Sequence, residues 1–406
     1  MPAVLPVLLC ATNYAWNVGN GNWNTPTNWF PNGVPGAGDN VTTNSTGTIT
    51  LTNDVTVNNF TSFGSTIKGN FNININGTLS FPGGFFDGVG TITVAGATTF
   101  PSGLPSLFGG SVLLLNGGGS INAGCEVRLS GGSQIVIPIG QTLTKTTSGN
   151  EFWVLGNGGT LVIQGTFNKS GPGALLMDRY SVNCTGILNI NQGNMFHTYS
   201  GGTNTFNGAN ITIASGSFYG PNGGTSTFTN CNVSGGGSFG DTGNRTITSG
   251  NVITANMNVS GGTHTINQDI SPASYTISNG TLNGTGNIAP VGDLTMSAGT
   301  ISNTGNWMVG GSLNWSGGTM TGAGTVTVQS GANITGTATK LITNGKTLIL
   351  NGGGGWQGSG GLSIGSGAVI RNAAGQTFTR STASGSTGLH RSRASSKACM
   401  SFSERT

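Results

Sequence analysis

Charged side chains are what this chain has least of. They make up 6% of its 406 residues, with only three Glu and six Lys. Those two residues build most helix surfaces, so their scarcity excludes helices along nearly the whole chain. A basic face is missing too. Residues 1–379 carry nine basic and nine acidic side chains; the net +4 comes from 380–406, where Arg380, Arg391, Arg393, Lys397 and Arg405 stand against Glu404. A body without clustered Lys or Arg lacks the footprint of a nucleic-acid binder, and nucleic acid is excluded as a partner. The five cysteines form no CxxC, which removes zinc spacing and a disulfide framework; Cys125, Cys184 and Cys231 read as small buried hydrophobes. No stretch approaches ~18 apolar residues, so no transmembrane helix is expected. The opening "MPAVLPVLLCA" is too short to span a bilayer, and residues 1–13 read as the remnant of a secretion signal.

What is present is glycine, 75 of 406 residues, with 34% apolar residues in short orderly groups. Disordered chains are poor in aliphatics, so this one has a core to bury. Four copies of one unit align: "MNVSGGTH" from Met257, "YTISNGTL" from Tyr275, "LTMSAGTI" from Leu294 and "LNWSGGTM" from Leu313. Each reads apolar, polar, apolar, then Ser-x-Gly-Thr. Looser copies start at Leu113, Val127, Leu188, Cys231, Val326, Leu348 and Leu362. Self-similarity at about twenty residues is the signature of a solenoid. Two alternating apolar side chains make a three-residue strand with one face inward, and the glycine lets the chain turn. One such coil cannot bury its own interior, so coils must stack. The expected fold is all-β, a parallel β-helix (β-solenoid) with about twenty residues per coil. Residues 41–379 form its body in about seventeen coils, and 380–406 a basic, non-repetitive tail, disordered or artefactual.

Residues 14–40 form a Trp-rich N-terminal cap. Trp16, Trp23 and Trp29 fall within fourteen residues of "YAWNVGNGNWNTPTNWFPNGVPGAGDNV". A solenoid exposes an edge at each end, and large indoles could plug it against Val41, Ile49 and Leu51. The alternative is a glycan platform, which needs open ring faces. Self-association through solenoid ends is a further possibility of this architecture.

The pattern W-x2-G-x-G-x-W-x5-W followed by V-P-x3-D-x-V resembles the N-terminal segment of secreted bacterial β-solenoid repeat surface proteins, of the adhesin and autotransporter-associated kind. "NWSGGTMTGAGTVTVQSGANITG" and "VIRNAAGQTF" resemble their repeats. The resemblance covers 14–41 and about 275–379. It implies export to an extracellular or cell-surface location and a solenoid architecture, and it carries over no catalytic residue and no ligand. The chain departs from the family in its length and in showing no C-terminal sorting domain.

Ten carboxylates serve the chain, none closer than fifteen residues to the next. In a solenoid, residues one coil apart are neighbours, so Glu126, Glu151 and Asp178, or Asp241, Asp269 and Asp293, could line one groove. Lys169, Asp178, Arg179 and His197 are the candidate set for a β-helix polysaccharide-active enzyme, a lyase or hydrolase. A paired-carboxylate hydrolase needs its two groups about 5–10 Å apart. Glycine motifs of phosphate-binding type arise by chance at this composition. "GGSFGD" at 236–241 is a single imperfect calcium-type repeat, and His197, His264 and His390 lack metal spacing, so no metal or cofactor is expected. A flat threonine face for ice or glycan is a third reading. Its triplets Thr91-Ile-Thr93 and Thr246-Ile-Thr248 do not recur in register along the sequence. The leading expectation is a non-enzymatic extracellular protein with a structural or adhesive role, meeting surface glycans or matrix components through multivalent weak contacts.

Overall fold

The structure is a computed structural model. It describes residues 10–43, 46–197, 202–220, 224–381, 390–391 and 399–401; at 152–157, 241, 390–391 and 399–401 only the backbone is described. Most of the proposed signal remnant and most of the 380–406 tail therefore lie outside the described residues. The chain folds as a β-solenoid of about 15 turns at roughly 21 residues per turn. Among the described residues the one helical segment is a 3-10 turn at Pro26–Asn28. No helix is long and apolar enough to cross a membrane. Two compact units divide the chain, Met1–Gly202 and Thr203–Thr406.

In the first unit the coils up to Leu129 each contribute one short strand to each of three parallel sheets, and the later coils carry the longer strands Glu151–Ile163 and Leu175–Cys184. One coil runs through Phe60–Ser62, Thr66–Lys68 and Ile73–Ile75; the next runs through Leu79–Ser80, Phe85–Asp87 and Thr91–Val94. The strands are this short because alternation places only one or two apolar side chains inside per strand. Ile67, Phe86, Leu107 and Leu129 stack inward in successive coils and are fully or almost fully buried. Coils are not of constant length. The step is 19 residues from Thr66 to Phe85 but 26 from Gln134 to Thr160. Those longer middle coils explain why there are fewer turns than a uniform twenty-residue repeat implies.

The second unit repeats this plan. The four copies read from the sequence fall in register: Met257 pairs with Tyr275, Tyr275 with Leu294, and Leu294 with Leu313. Met296 and Trp315 are likewise paired, and all these side chains are buried. Glycine is required at the corner that follows. Gly280 and Gly299 sit at φ of 74°, a region that L side chains rarely adopt. A Cβ on either would also strike the backbone of the preceding coil.

Asparagine links the coils. The Asn72 carboxamide oxygen accepts the Thr91 backbone N–H at 2.9 Å, and Asn72 in turn donates to the Asp54 carboxylate. The second unit uses the same device over three steps, from Asp269 through Asn287 and Asn306 to the Thr325 N–H. Each step spans 18 or 19 residues, one coil. Corner N–H groups that no strand pairs are satisfied in this way. Hence the chain is rich in Asn.

Candidate functional site

The three tryptophans are buried, none more than 2% exposed. Strand Asn13–Trp16 pairs parallel with Asn40–Thr43 and antiparallel with Trp29–Phe30. The indoles of Trp16 and Trp23 meet Trp29 edge-on at 4.9 and 4.8 Å, and Trp23 also contacts the Phe60 ring. Trp29 Nε1 donates to the Trp23 carbonyl at 2.7 Å. The Trp23 backbone N–H pairs with Thr50 O, so the segment lies against the first coil. No ring face is left open for a pyranose, and the platform alternative for Trp16, Trp23 and Trp29 is corrected on that ground.

The candidate enzyme set does not converge. Lys169 points into the coil, fully buried, and its ammonium donates to Gly171 O, Gly173 O and Gln192 O. Burial pulls it down to about 8 from the ordinary lysine value; the nearby Glu151 charge opposes the fall. His197 is also buried, in register with inward Met177. Asp178 and Arg179 lie on the outside as a neighbouring pair at 3.6 Å. Two members thus lie inside and two outside; Asp178 and Arg179 both face out because Arg179, at φ 61°, interrupts the strand's alternation.

The described members of the carboxylate trios have separate local partners. Glu126 pairs with Arg128 at 3.2 Å and Glu151 with the buried Lys145 at 2.5 Å. Asp269 and Asp293 instead cap backbone N–H groups of Asn287 and Ser312. The Asn287 N–H holds the Asp269 carboxyl below its usual range. The Asp241 side chain, and with it the end of "GGSFGD", lies outside the described residues, as does the His390 side chain. Cys125, Cys184 and Cys231 are buried, and burial raises the Cys125 thiol to about 11.

Sequence inspection missed two outward faces. The first belongs to the six-stranded sheet of the first unit. One outward row reads Thr50, Lys68, Asp87, Phe108; the row beside it reads Thr48, Thr66, Phe85, Ser106, Arg128. The Phe85 and Phe108 rings stack at 5.6 Å and 28°. Phe85 is 37% exposed, and the loops entering neighbouring strands expose Phe63 and Leu104. Lys68 also borders a cavity of about 520 Å³ lined by Asn20, Asn22, Thr48 and Thr50. Two aromatic rings with three charged side chains, Lys68, Asp87 and Arg128, on one sheet face are conspicuous in a chain this poor in charge. The available signal was "FPGGFFDG", where alternation turns Phe86 inward and Phe85 and Asp87 out.

The second face is in the second unit. Thr203 and Thr205 stand over Thr225 and Thr227, which stand over Asn244 and Thr246. The same two rows continue through Thr263 and Thr265, then Thr281 and Asn283, to Thr300 and Thr319 in the first row. Backbone pairing carries the second row on through Ser302 and Thr321. A shorter third row starts with Thr229 and Thr248, whose hydroxyls are 2.6 Å apart. Thr-x-Thr therefore recurs in register in this unit, at residues 203/205, 225/227 and 263/265, contrary to the linear comparison, whereas Thr91-Ile-Thr93 pairs with Val112 and Leu114 and does not recur. Coils of 18 to 22 residues hide the recurrence from a fixed-period search. The threonine of each Ser-x-Gly-Thr repeat is a member of the first row.

In class, then, the chain is a β-solenoid that carries two chemically distinct outward faces. Comparison with known protein families, curated proteins and solved structures finds no match to it.

Proposed function

We propose that the chain is a non-enzymatic, extracellular β-solenoid with a structural or adhesive role, and that it holds glycans on the aromatic face of its first unit. The stacked, half-open Phe85–Phe108 pair carries this reading. Exposed rings offer an apolar surface to the C–H face of a pyranose. Lys68 and Asp87, next to one another in the row that ends at Phe108, supply a donor and an acceptor for ring hydroxyls. The pairing of Glu126, Glu151 and Asp178 with local basic partners favours a structural role for these three carboxylates over general acid–base catalysis. Export follows from the resemblance to secreted surface solenoids. The test is retention on an immobilised glycan panel. Phe85→Ala combined with Phe108→Ala is expected to abolish retention at unchanged melting temperature. Equal retention of the double variant would refute the assignment.

A further inference from the structure

We infer that the threonine sheet of the second unit binds the surface of an ice crystal. The inference goes beyond the glycan reading and uses a different face. Successive strands lie about 4.8 Å apart, and alternate residues along a parallel strand about 6.6 Å apart. Two rows on seven strands, threonine at all positions but Asn244, Asn283 and Ser302, therefore make a two-dimensional net of mainly hydroxyls and methyls with fixed spacing on both axes. Those spacings are of the same order as the separations of water oxygens in the ice lattice. Liquid water has no such fixed repeat, so a rigid net discriminates for the crystal.

Threonine suits the task physically. Its β-branch restricts χ1, so repeated copies in repeated surroundings present their groups alike. Little rotamer freedom is lost on contact, which lowers the cost of binding. Each hydroxyl–water contact is weak, but their number multiplies along the rows. The inner side of the sheet is tightly packed. Phe206 and Phe228 stack at 4.5 Å and 5°, and the Arg245 guanidinium lies 4.0 Å from the Phe239 ring centre. Asn204 Nδ2 donates to Ser226 Oγ at 3.2 Å behind the same rows.

What the face lacks chooses between ligands. Its outward rows from Thr203 to Thr321 carry no charged side chain, whose own ordered hydration shell fits no lattice. They carry no aromatic ring either, and a sugar-stacking surface needs one. The net stops at the strand Lys340–Ile342, where Leu341 takes the place of threonine.

The test uses the full chain, fluorescently labelled, partitioned into slowly growing ice and scored for inhibition of ice recrystallisation. Thr265→Lys puts a charge at mid-face on a half-buried outward position, and Thr265→Val keeps shape and methyl. Thr327→Lys, outward on another sheet, is the control. The wild-type chain and Thr327→Lys are expected to enter ice. Thr265→Lys should fall by about tenfold or more at unchanged melting temperature, with Thr265→Val in between. Exclusion of the wild-type chain from ice would overturn the inference. So would unchanged partition of Thr265→Lys, or retention on crystalline chitin or cellulose with no effect on ice.

Discussion

The outer face at Lys68–Phe85–Asp87–Phe108 and the outer face at Thr203–Thr321 are built on the same three-residue strands. Both have fully apolar or tightly packed interiors and neighbouring coils in register. One concentrates aromatic rings and both signs of charge; the other excludes both from its two rows and repeats threonine at most positions. Because strand side chains alternate, the inward set fixes the coil while the outward set is free to vary. Ligand chemistry can then change from one stretch to another at small cost to the fold. Local, discrete recognition of a sugar and extended recognition of a lattice are both available to one architecture.

The comparison breaks most severely if the interior rather than the face is damaged. Trp23→Ala removes a fully buried indole under the first coil, and a loss of about 3–5 kcal/mol in stability is expected by denaturant unfolding. Ice partition, measured on chain that remains folded, should persist. A variant of unchanged stability would mean that the tryptophans do not plug the coil.

The next largest effect concerns a buried charge. Lys169 directly follows Lys145 in one inward row, between Ile121 and Ile190. Lys169→Met leaves the carbonyls of Gly171, Gly173 and Gln192 without their donor, an expected loss of about 2–3 kcal/mol. Burial also pulls Lys169 and Lys346 down to about 8 from the ordinary 10.5. Between those values the unfolded chain holds protons that the folded chain has released. Stability should therefore rise as pH climbs from about 8 towards 10.5. Melting midpoints at pH 7.5 and 9.5 check the sign, and a midpoint that drops over this interval contradicts it.

The smallest effect sharpens the view that surface charge away from the aromatic face is idle. Asp178→Ala removes the surface ion pair with Arg179, and stability should move by about 0.5 kcal/mol or less. Glycan retention should not move. Depolymerisation of a uronic-acid polysaccharide that this substitution abolishes would restore the enzyme reading.

Much of this was legible in the sequence where the repeat is regular. Met257, Tyr275, Leu294 and Leu313 could be placed inward from their Ser-x-Gly-Thr neighbours, and the structure stacks them so. The faces were harder because they depend on which residues become vertical neighbours. Variable loops set that, with steps of 18 residues from Thr263 to Thr281 but 22 from Thr203 to Thr225. Lys145 and Lys169 could have been placed inside by alternation with Leu143 and Phe167. The expectation that charge stays in solvent masked that signal. The candidate set of Lys169, Asp178, Arg179 and His197 failed for the same reason, since nearness in sequence says nothing about which side of a strand each occupies.

The central claim is that one solenoid carries two separate recognition faces. It is tested most directly by taking the Phe85→Ala/Phe108→Ala double variant and the Thr265→Lys variant through both the glycan-retention and the ice-partition assays. Each variant is expected to lose one activity and keep the other. Loss of both activities by either variant at unchanged melting temperature, or loss of neither by both, would contradict the account.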